Sequence, residues 1–222
     1  MYGIVNKGIR DLVIRDHGED VWDEIVTEAG CKDDFFMSME VYDDSITYNL
    51  VGAASKVLKT PSHDLLVLFG EFWMVFTAAE GYGSALQIAG STFPQFLGQL
   101  DNLHRRLGTT YNKLKPPSFV FEEIDDQTLL LQYHSHRKGL TSFAIGIIRG
   151  LGKKFKVDVE VKLIKKQEDF GYDEFLLKYI PIKNEMAEKP NLNTKKQENE
   201  KSRCPYIKYR RGNPVSYTHL TL

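Results

Sequence analysis

Residues 116–137 read Pro-Pro-Ser-Phe-Val-Phe-Glu-Glu-Ile-Asp-Asp-Gln-Thr-Leu-Leu-Leu-Gln-Tyr-His-Ser-His-Arg. Pro116-Pro117 cannot continue a helix, and beyond them the apolar spacing changes from about 3.6 to 2. Ser118 to Ile124 and Thr128 to Ser135 are rich in β-formers and separated by Asp125-Asp126-Gln127, which predicts a hairpin. Upstream lies the most regular helical pattern in the chain, Ser91 to Leu107, where Phe93, Phe96, Leu97, Leu100, Leu103, His104 and Leu107 form one stripe. Pro94 suits its first turn and Gly108 its C′ position. Downstream, Gly139 to Phe155 returns to helix. Val157 to Ile164 and Glu174 to Ile182 then supply two more strands. The order ββαββ with an antiparallel sheet makes the class α+β rather than doubly wound.

The first ninety residues read as helices. Ile4, Val5, Gly8, Ile9, Leu12 and Val13 share one face, ended by Gly18; Val21, Trp22, Ile25 and Val26 share another, with Asp20 as N-cap and Gly30 past the end. Ser45 to Leu58 and Ser62 to Phe76 follow, the latter a core helix by its breadth of apolar residues. From Lys183 the chain is dense in charge and poor in large apolar residues, which predicts a domain over 1–182 and a polar, disordered tail over 183–222.

Composition narrows the class further. With 29 Lys+Arg against 30 Asp+Glu and a net charge of -1, nothing favours nucleic acid as a partner. Two distant cysteines, Cys31 and Cys204, exclude a disulfide framework, a zinc cluster and a Cys-x-x-Cys-His haem attachment. The start Met1-Tyr2-Gly3-Ile4-Val5-Asn6-Lys7 lacks the features of a signal peptide, and the apolar run 65–76 contains Glu71 and falls short of the ~20 residues of a membrane span. The expectation is a soluble, cytoplasmic protein with no membrane contact.

Two groups of residues stand out chemically. His104 lies on the buried stripe of its helix. Such a histidine is ordinarily hydrogen-bonded core, but a lone neutral imidazole facing an apolar cavity is also what an axial haem ligand requires, and no cluster for a zinc site is spaced nearby. The second group is Tyr133-His134-Ser135-His136-Arg137. Period two places Tyr133, Ser135 and Arg137 on one face, a phenol, hydroxyl and guanidinium suited to carboxylates. His134 and His136 fall on the other face, as solvated side chains. A polar sheet edge is the plainer reading of all five.

Together these residues carry a resemblance. Tyr133-x-Ser135-x-Arg137, preceded by Leu103-His104 in a helix, Gly108 and Pro116-Pro117-Ser118-Phe119, closely resembles the H-NOX (haem nitric oxide/oxygen-binding) family, which includes the haem domain of soluble guanylate cyclase. The start of the chain and Phe69-Gly70-Glu71-Phe72-Trp73 are similar to it too. The resemblance runs from Met1 to about Ile182. It implies a helical N-terminal subdomain packed on a C-terminal subdomain with a four-stranded antiparallel sheet, and a noncovalent haem b between them. His104 would be the proximal ligand. Tyr133, Ser135 and Arg137 would bind the propionates, and Pro117 would press on the macrocycle.

The resemblance also implies a sensor rather than an enzyme. Val5, Trp73 and Phe143 fall at distal positions, and Phe143 stands where oxygen-holding members carry a tyrosine. A hydrogen bond to a charged acceptor contributes about 1.5–3 kcal/mol, which bound oxygen uses and nitric oxide hardly needs. The expectation is a five-coordinate ferrous haem that binds nitric oxide and carbon monoxide and excludes oxygen. Trp73 has an N–H of its own, so an oxygen-binding sensor stays open. So does a non-haem module for a hydrophobic carboxylate. A peroxide-using haem enzyme would need a distal acid or base that these positions lack. In the family, nitric oxide weakens the iron–histidine bond and the subdomains shift. No catalytic region is evident in the chain, so a separate histidine kinase or diguanylate cyclase is the expected partner.

Overall fold

The computed structural model describes residues 1–111 and 113–182, so the tail expected over 183–222 lies outside the described residues. The helices are α1 (Gly3–His17), α2 (Glu19–Glu28), α3 (Asp44–Val57), α4 (Ser62–Thr77), α5 (Gly83–Ile88), α6 (Phe93–Thr110), α7 (Thr141–Phe155) and the short α8 (Gln167–Phe170). The strands are β1 (Ser118–Asp125), β2 (Thr128–His134), β3 (Val157–Lys165) and β4 (Asp173–Pro181). They form one antiparallel sheet in the order β1-β2-β4-β3. The α+β reading therefore holds, with four strands.

Alternation decides which face of the sheet is covered. Leu129, Leu131 and Tyr133 of β2 and Phe175 and Leu177 of β4 are buried, and α6 and α7 lie over them through Phe93, Phe96, Leu97, Ala144, Ile148 and Leu151. A second apolar cluster belongs to α1–α4: Ile9, Val13, Trp22, Ile25, Leu50 and Phe69, with Phe143 of α7 packed against it. The two clusters meet along α4 and α7. Glycines permit that meeting, since a Cβ on Gly70 would lie 2.3 Å from the Phe143 carbonyl oxygen and one on Gly146 would lie 2.2 Å from that of Val67.

Several boundaries differ from expectation. Helix α2 starts at Glu19 with Gly18 in the N-cap position at φ 92°, so Asp20 sits inside the helix. Helix α3 begins one residue early because the Asp43 side chain accepts from the Ser45 N–H and caps it. Gly108 is not a C′ residue: α6 runs on to Thr110. Past Thr77, α4 continues through a wide turn, Ala78–Tyr82, that is kinked at Glu80 and Gly81. By length and composition alone the whole run Ser62–Ile88, 27 residues, could cross a membrane. Here it is bent at Gly81 and walled by α7 at Gly70 and Gly146.

Candidate functional site

Helix α6 projects His104 because its stripe continues that of the buried residues Phe96, Leu97 and Leu100. The His104 Nδ1 lies 3.2 Å from the Pro117 carbonyl oxygen. A carbonyl only accepts, so Nδ1 carries the proton and donates, and Nε2 keeps a free lone pair. Burial pushes the imidazole pKa down, against smaller upward pulls from the Pro117 carbonyl and Asp101. The ring is thus neutral near pH 7. Asp101 accepts from the Phe119 N–H at 3.1 Å and ties α6 to the start of β1.

His104 lines a cavity of about 900 Å³ bordered by both apolar clusters. That volume lies at the upper end of small-molecule pockets. Val5, Trp73 and Phe143 line it as well, and so do Leu97, Leu100 and Pro117. One wall is aromatic: Phe143 stacks on Phe69 at 5.0 Å between centroids, and Trp73 meets Phe69 at 5.7 Å and Phe143 at 5.9 Å.

Tyr133, Ser135 and Arg137 also line this cavity, and His136 joins them. Period two does not extend that far, because β2 ends at His134 and the chain then turns. His134 is not simply solvated: its ring stacks on Tyr172 at 4.8 Å and its Nε2 lies 3.3 Å from Gln132 Oε1. Tyr133 is buried, and that burial pushes its phenol pKa up. The Ser135 Oγ accepts from the Arg137 N–H at 3.1 Å. Arg137 donates from Nε to Asp44 Oδ2 at 2.8 Å, from Nη2 to Asp44 Oδ1 at 3.4 Å, and from Nη1 to the Lys115 carbonyl at 3.0 Å. Asp44 also accepts from the Met1 ammonium. Burial, the largest influence on Asp44, raises its pKa, but the two cations outweigh it and hold the carboxyl below the usual range.

Asp44 escaped the sequence reading because Asp43-Asp44-Ser45 has the form of a helix start, where acids are expected for capping alone. Tyr82 and Tyr111 were missed too. Both line the cavity, and burial, with the neighbouring Tyr111 phenol, pushes Tyr82 up to about 12. The kink before Tyr82 has no periodic signature that could have placed it.

The donor set fits a haem. An imidazole with a free Nε2 faces an apolar cavity, and a guanidinium, a hydroxyl and a phenol stand at its border, where two carboxylates would need them. Among the described residues there is no group of three or more His, Cys, Asp and Glu able to hold a metal ion.

Known proteins share this architecture. The chain is 31% identical over 179 residues to soluble guanylate cyclase gcy-31 of Caenorhabditis elegans, covering 80% of this chain and 26% of that protein. It is 26% identical over 172 residues to soluble guanylate cyclase 89Da of Drosophila melanogaster, covering 77% and 26%. The chain thus spans about a quarter of the length of these relatives. Among solved structures it superposes on an H-NOX protein from S. oneidensis in the Fe(II)NO state with a TM-score of 0.73 at 19% identity, covering 81% of this chain and 99% of that one. The unliganded Fe(II) H-NOX protein from K. algicida gives 0.72 at 24%, covering 81% and 97%. The family model for haem-NO-binding domains matches residues 2–163. The cavity with its histidine, the four-stranded sheet under helices and this match agree, and the chain belongs to the haem-NO-binding (H-NOX) family of haem-based gas-sensing domains.

Proposed function

We propose that this domain senses nitric oxide through a noncovalent haem b whose proximal ligand is His104. The observation that carries the reading is the His104–Pro117 hydrogen bond, which leaves Nε2 free in a largely apolar cavity. Haem, when bound, supplies the ferrous iron at which a diatomic gas is held. The protein's own part is then clear. His104 would be held in one tautomer by Pro117, and Arg137, Ser135 and Tyr133 would take the propionates, with Arg137 shared between that task and Asp44. Pro117 lines the same space and would press on the macrocycle.

Selectivity follows from the aromatic wall. Val5 and Phe143 offer no donor to a bound gas, and two cavity phenols direct their donors elsewhere: Tyr48 donates to the Lys138 carbonyl at 2.9 Å and Tyr42 to Glu40 Oε2 at 3.5 Å. This favours nitric oxide and carbon monoxide over oxygen. A second reading, oxygen binding, is favoured by Trp73, which lines the cavity with an indole N–H able to donate.

An H-NOX domain senses and does not catalyse, and such domains signal to partner domains. The named relatives are guanylate cyclases, which favours a cyclase output in the cytoplasm over the kinase or diguanylate cyclase expected first. The test is the anaerobic absorption spectrum of the reduced protein, alone and after nitric oxide or air. A spectrum that shifts with nitric oxide, ignores air and is lost in His104→Gly supports the proposal. A stable oxy spectrum moves it to oxygen sensing, and absence of haem after reconstitution overturns it.

A further inference from the structure

Between α2 and α3 the chain passes through residues 31–43 with no helix or ladder, yet it is pinned at several points. Trp22 Nε1 donates to the Asp34 carbonyl at 3.2 Å. Phe36 is only 3% exposed and packs edge-on to Tyr42 at 5.3 Å. The Met37 N–H donates to the Tyr42 hydroxyl at 3.1 Å. The far end of the loop closes the start of α1: Gly3 N–H donates to the Glu40 carbonyl at 2.8 Å and Ile4 N–H to that of Ser38 at 3.1 Å. These carbonyls satisfy helix donors that would otherwise lack partners. The approach is close enough that a Cβ on Gly3 would lie 2.2 Å from the Met37 oxygen.

With Phe36 turned in, Phe35 and Met37 on either side of it lie at the surface outside the cavity, whereas the exposed Met39 and Val41 also line the cavity. Phe35 is 64% exposed, Met37 60%, Met39 52% and Val41 44%. Scattered apolar residues on a surface are ordinary, but Phe35 and Met37 are both more than half exposed, flank a buried residue and sit on a loop pinned at several points, as at an interaction site. Methionine suits a surface that accommodates a partner's side chains. The patch is also edged by one sign of charge. Asp33, Asp34, Glu40 and Asp43 are exposed, and Lys32 is the lone cation over 32–43.

We propose that this loop is the docking surface for a cationic amphipathic helix of a partner protein. The helix would lay its apolar face on Phe35 and Met37 and set Lys or Arg over Asp33, Asp34 and Glu40. Charge selects this occupant. An anionic membrane surface would be repelled by the acidic edge, and a second copy of the loop would place acid on acid. The surface also reaches the cavity, because the loop's carbonyls hold the first turn of α1, where Ile4 and Val5 line the wall. The proposal does not depend on which gas the cavity takes.

The experiment uses the full chain and two fluorescein-labelled synthetic helices of about 18 residues, one Leu/Lys and one Leu/Glu, each with apolar residues on one face. Fluorescence anisotropy should show saturable binding of the Leu/Lys helix alone. Binding should weaken about tenfold or more in Phe35→Ser/Met37→Ser. A smaller loss that disappears at high salt is expected in Asp33→Asn/Asp34→Asn. The control Val75→Ser/Ile88→Ser, exposed apolar residues elsewhere, should bind as wild type. Matching thermal melts establish that the variants fold. The proposal fails if Phe35→Ser/Met37→Ser binds the Leu/Lys helix as well as wild type does. It fails equally if the Leu/Glu helix binds as tightly, if the loop instead drives cosedimentation with phosphatidylserine vesicles, or if it drives wild-type dimerisation.

Discussion

The imidazole of His104 donates through Nδ1 to the carbonyl of Pro117, a residue 13 positions on, at 3.2 Å. That single bond joins the end of α6 to the segment leading into β1 and sets which nitrogen of the ring is free. Asp101 reinforces it from the same helix by taking the Phe119 N–H at 3.1 Å. Two contacts from one helix therefore hold one short piece of chain, and the orientation of His104 depends on that piece staying rigid.

Pro117→Ala tests this dependence. The carbonyl survives, but the fixed φ that presents it does not, and relief of such a constraint costs about 0.4–1 kcal/mol. If that cost falls on the site, haem-loaded Pro117→Ala should release haem about two- to fivefold faster to an acceptor protein in excess. An unchanged release rate would show that the second proline of the pair contributes nothing to the holding of His104.

The lowered pKa of His104 sets a pH dependence. Above the unfolded value near 6.5 the ring is neutral in both states and contributes no slope. As pH falls through 6.5 the unfolded chain takes up a proton while the folded ring, desolvated, does not, so folding stability is lost on acidification. Urea midpoints of the haem-free protein at pH 7.5 and 5.5 should therefore fall more for wild type than for His104→Asn. Parallel losses would sink the assignment, since the remaining histidines are common to both proteins.

Asp44 and Arg137 predict a measurable coupling. Their bidentate contact joins α3 to the turn after β2, with side chains 36% and 18% exposed. Solvent screening keeps such a pair modest, about 0.5–1 kcal/mol. A double-mutant cycle with Asp44→Asn and Arg137→Gln should return that value in haem-free protein. A coupling near zero would mean the contact is incidental.

The Phe143 position tests the distal reading. Phe143→Tyr places a phenol on the aromatic wall beside Phe69 and Trp73. A hydrogen bond to bound oxygen should raise oxygen affinity by about ten- to hundredfold, as 1.5–3 kcal/mol implies, and leave nitric oxide binding nearly unchanged. Haem-loaded Phe143→Tyr that still forms no oxy spectrum would show that residue 143 does not govern selectivity.

These tests bear on parts of the molecule that were unequally legible in the sequence. The change of period at Pro116-Pro117 is a local signal, and the helix before it and the strands after it lie where that signal put them. His104 was visible for the same reason, as a polar residue on an apolar stripe. Ser135, His136 and Arg137 were harder, because periodicity ends with the strand at His134 and only the turn geometry brings His136 into the cavity. Asp44 was invisible: its partner is distant in sequence, and its local surroundings explain an acid there without one. Gly108 had the right residue type for a helix end, but α6 continues to Thr110 and the capping preference is outweighed.

The contact of α4 with α7 gives the last prediction, in which two effects of opposite sign compete. Replacing a helix-interior glycine by alanine ordinarily stabilises by about 1 kcal/mol. At Gly146 the added carbon would stand 2.2 Å from the Val67 oxygen and 2.8 Å from the Gly70 Cα, both backbone atoms that cannot turn aside. The helices would have to separate, and overpacking of this kind costs about 1–3 kcal/mol or more. Gly146→Ala should therefore destabilise, and because Phe143 lies on the same helix as the moved backbone, the aromatic wall of the cavity should shift with it. Gly52, inside α3 with no atom within 4 Å of an added carbon, provides the reference. In urea unfolding Gly52→Ala should move the midpoint up and Gly146→Ala down. If both move up, the helices can accommodate a methyl group between them, and the close approach at Gly70 and Gly146 is not what fixes the position of the distal wall.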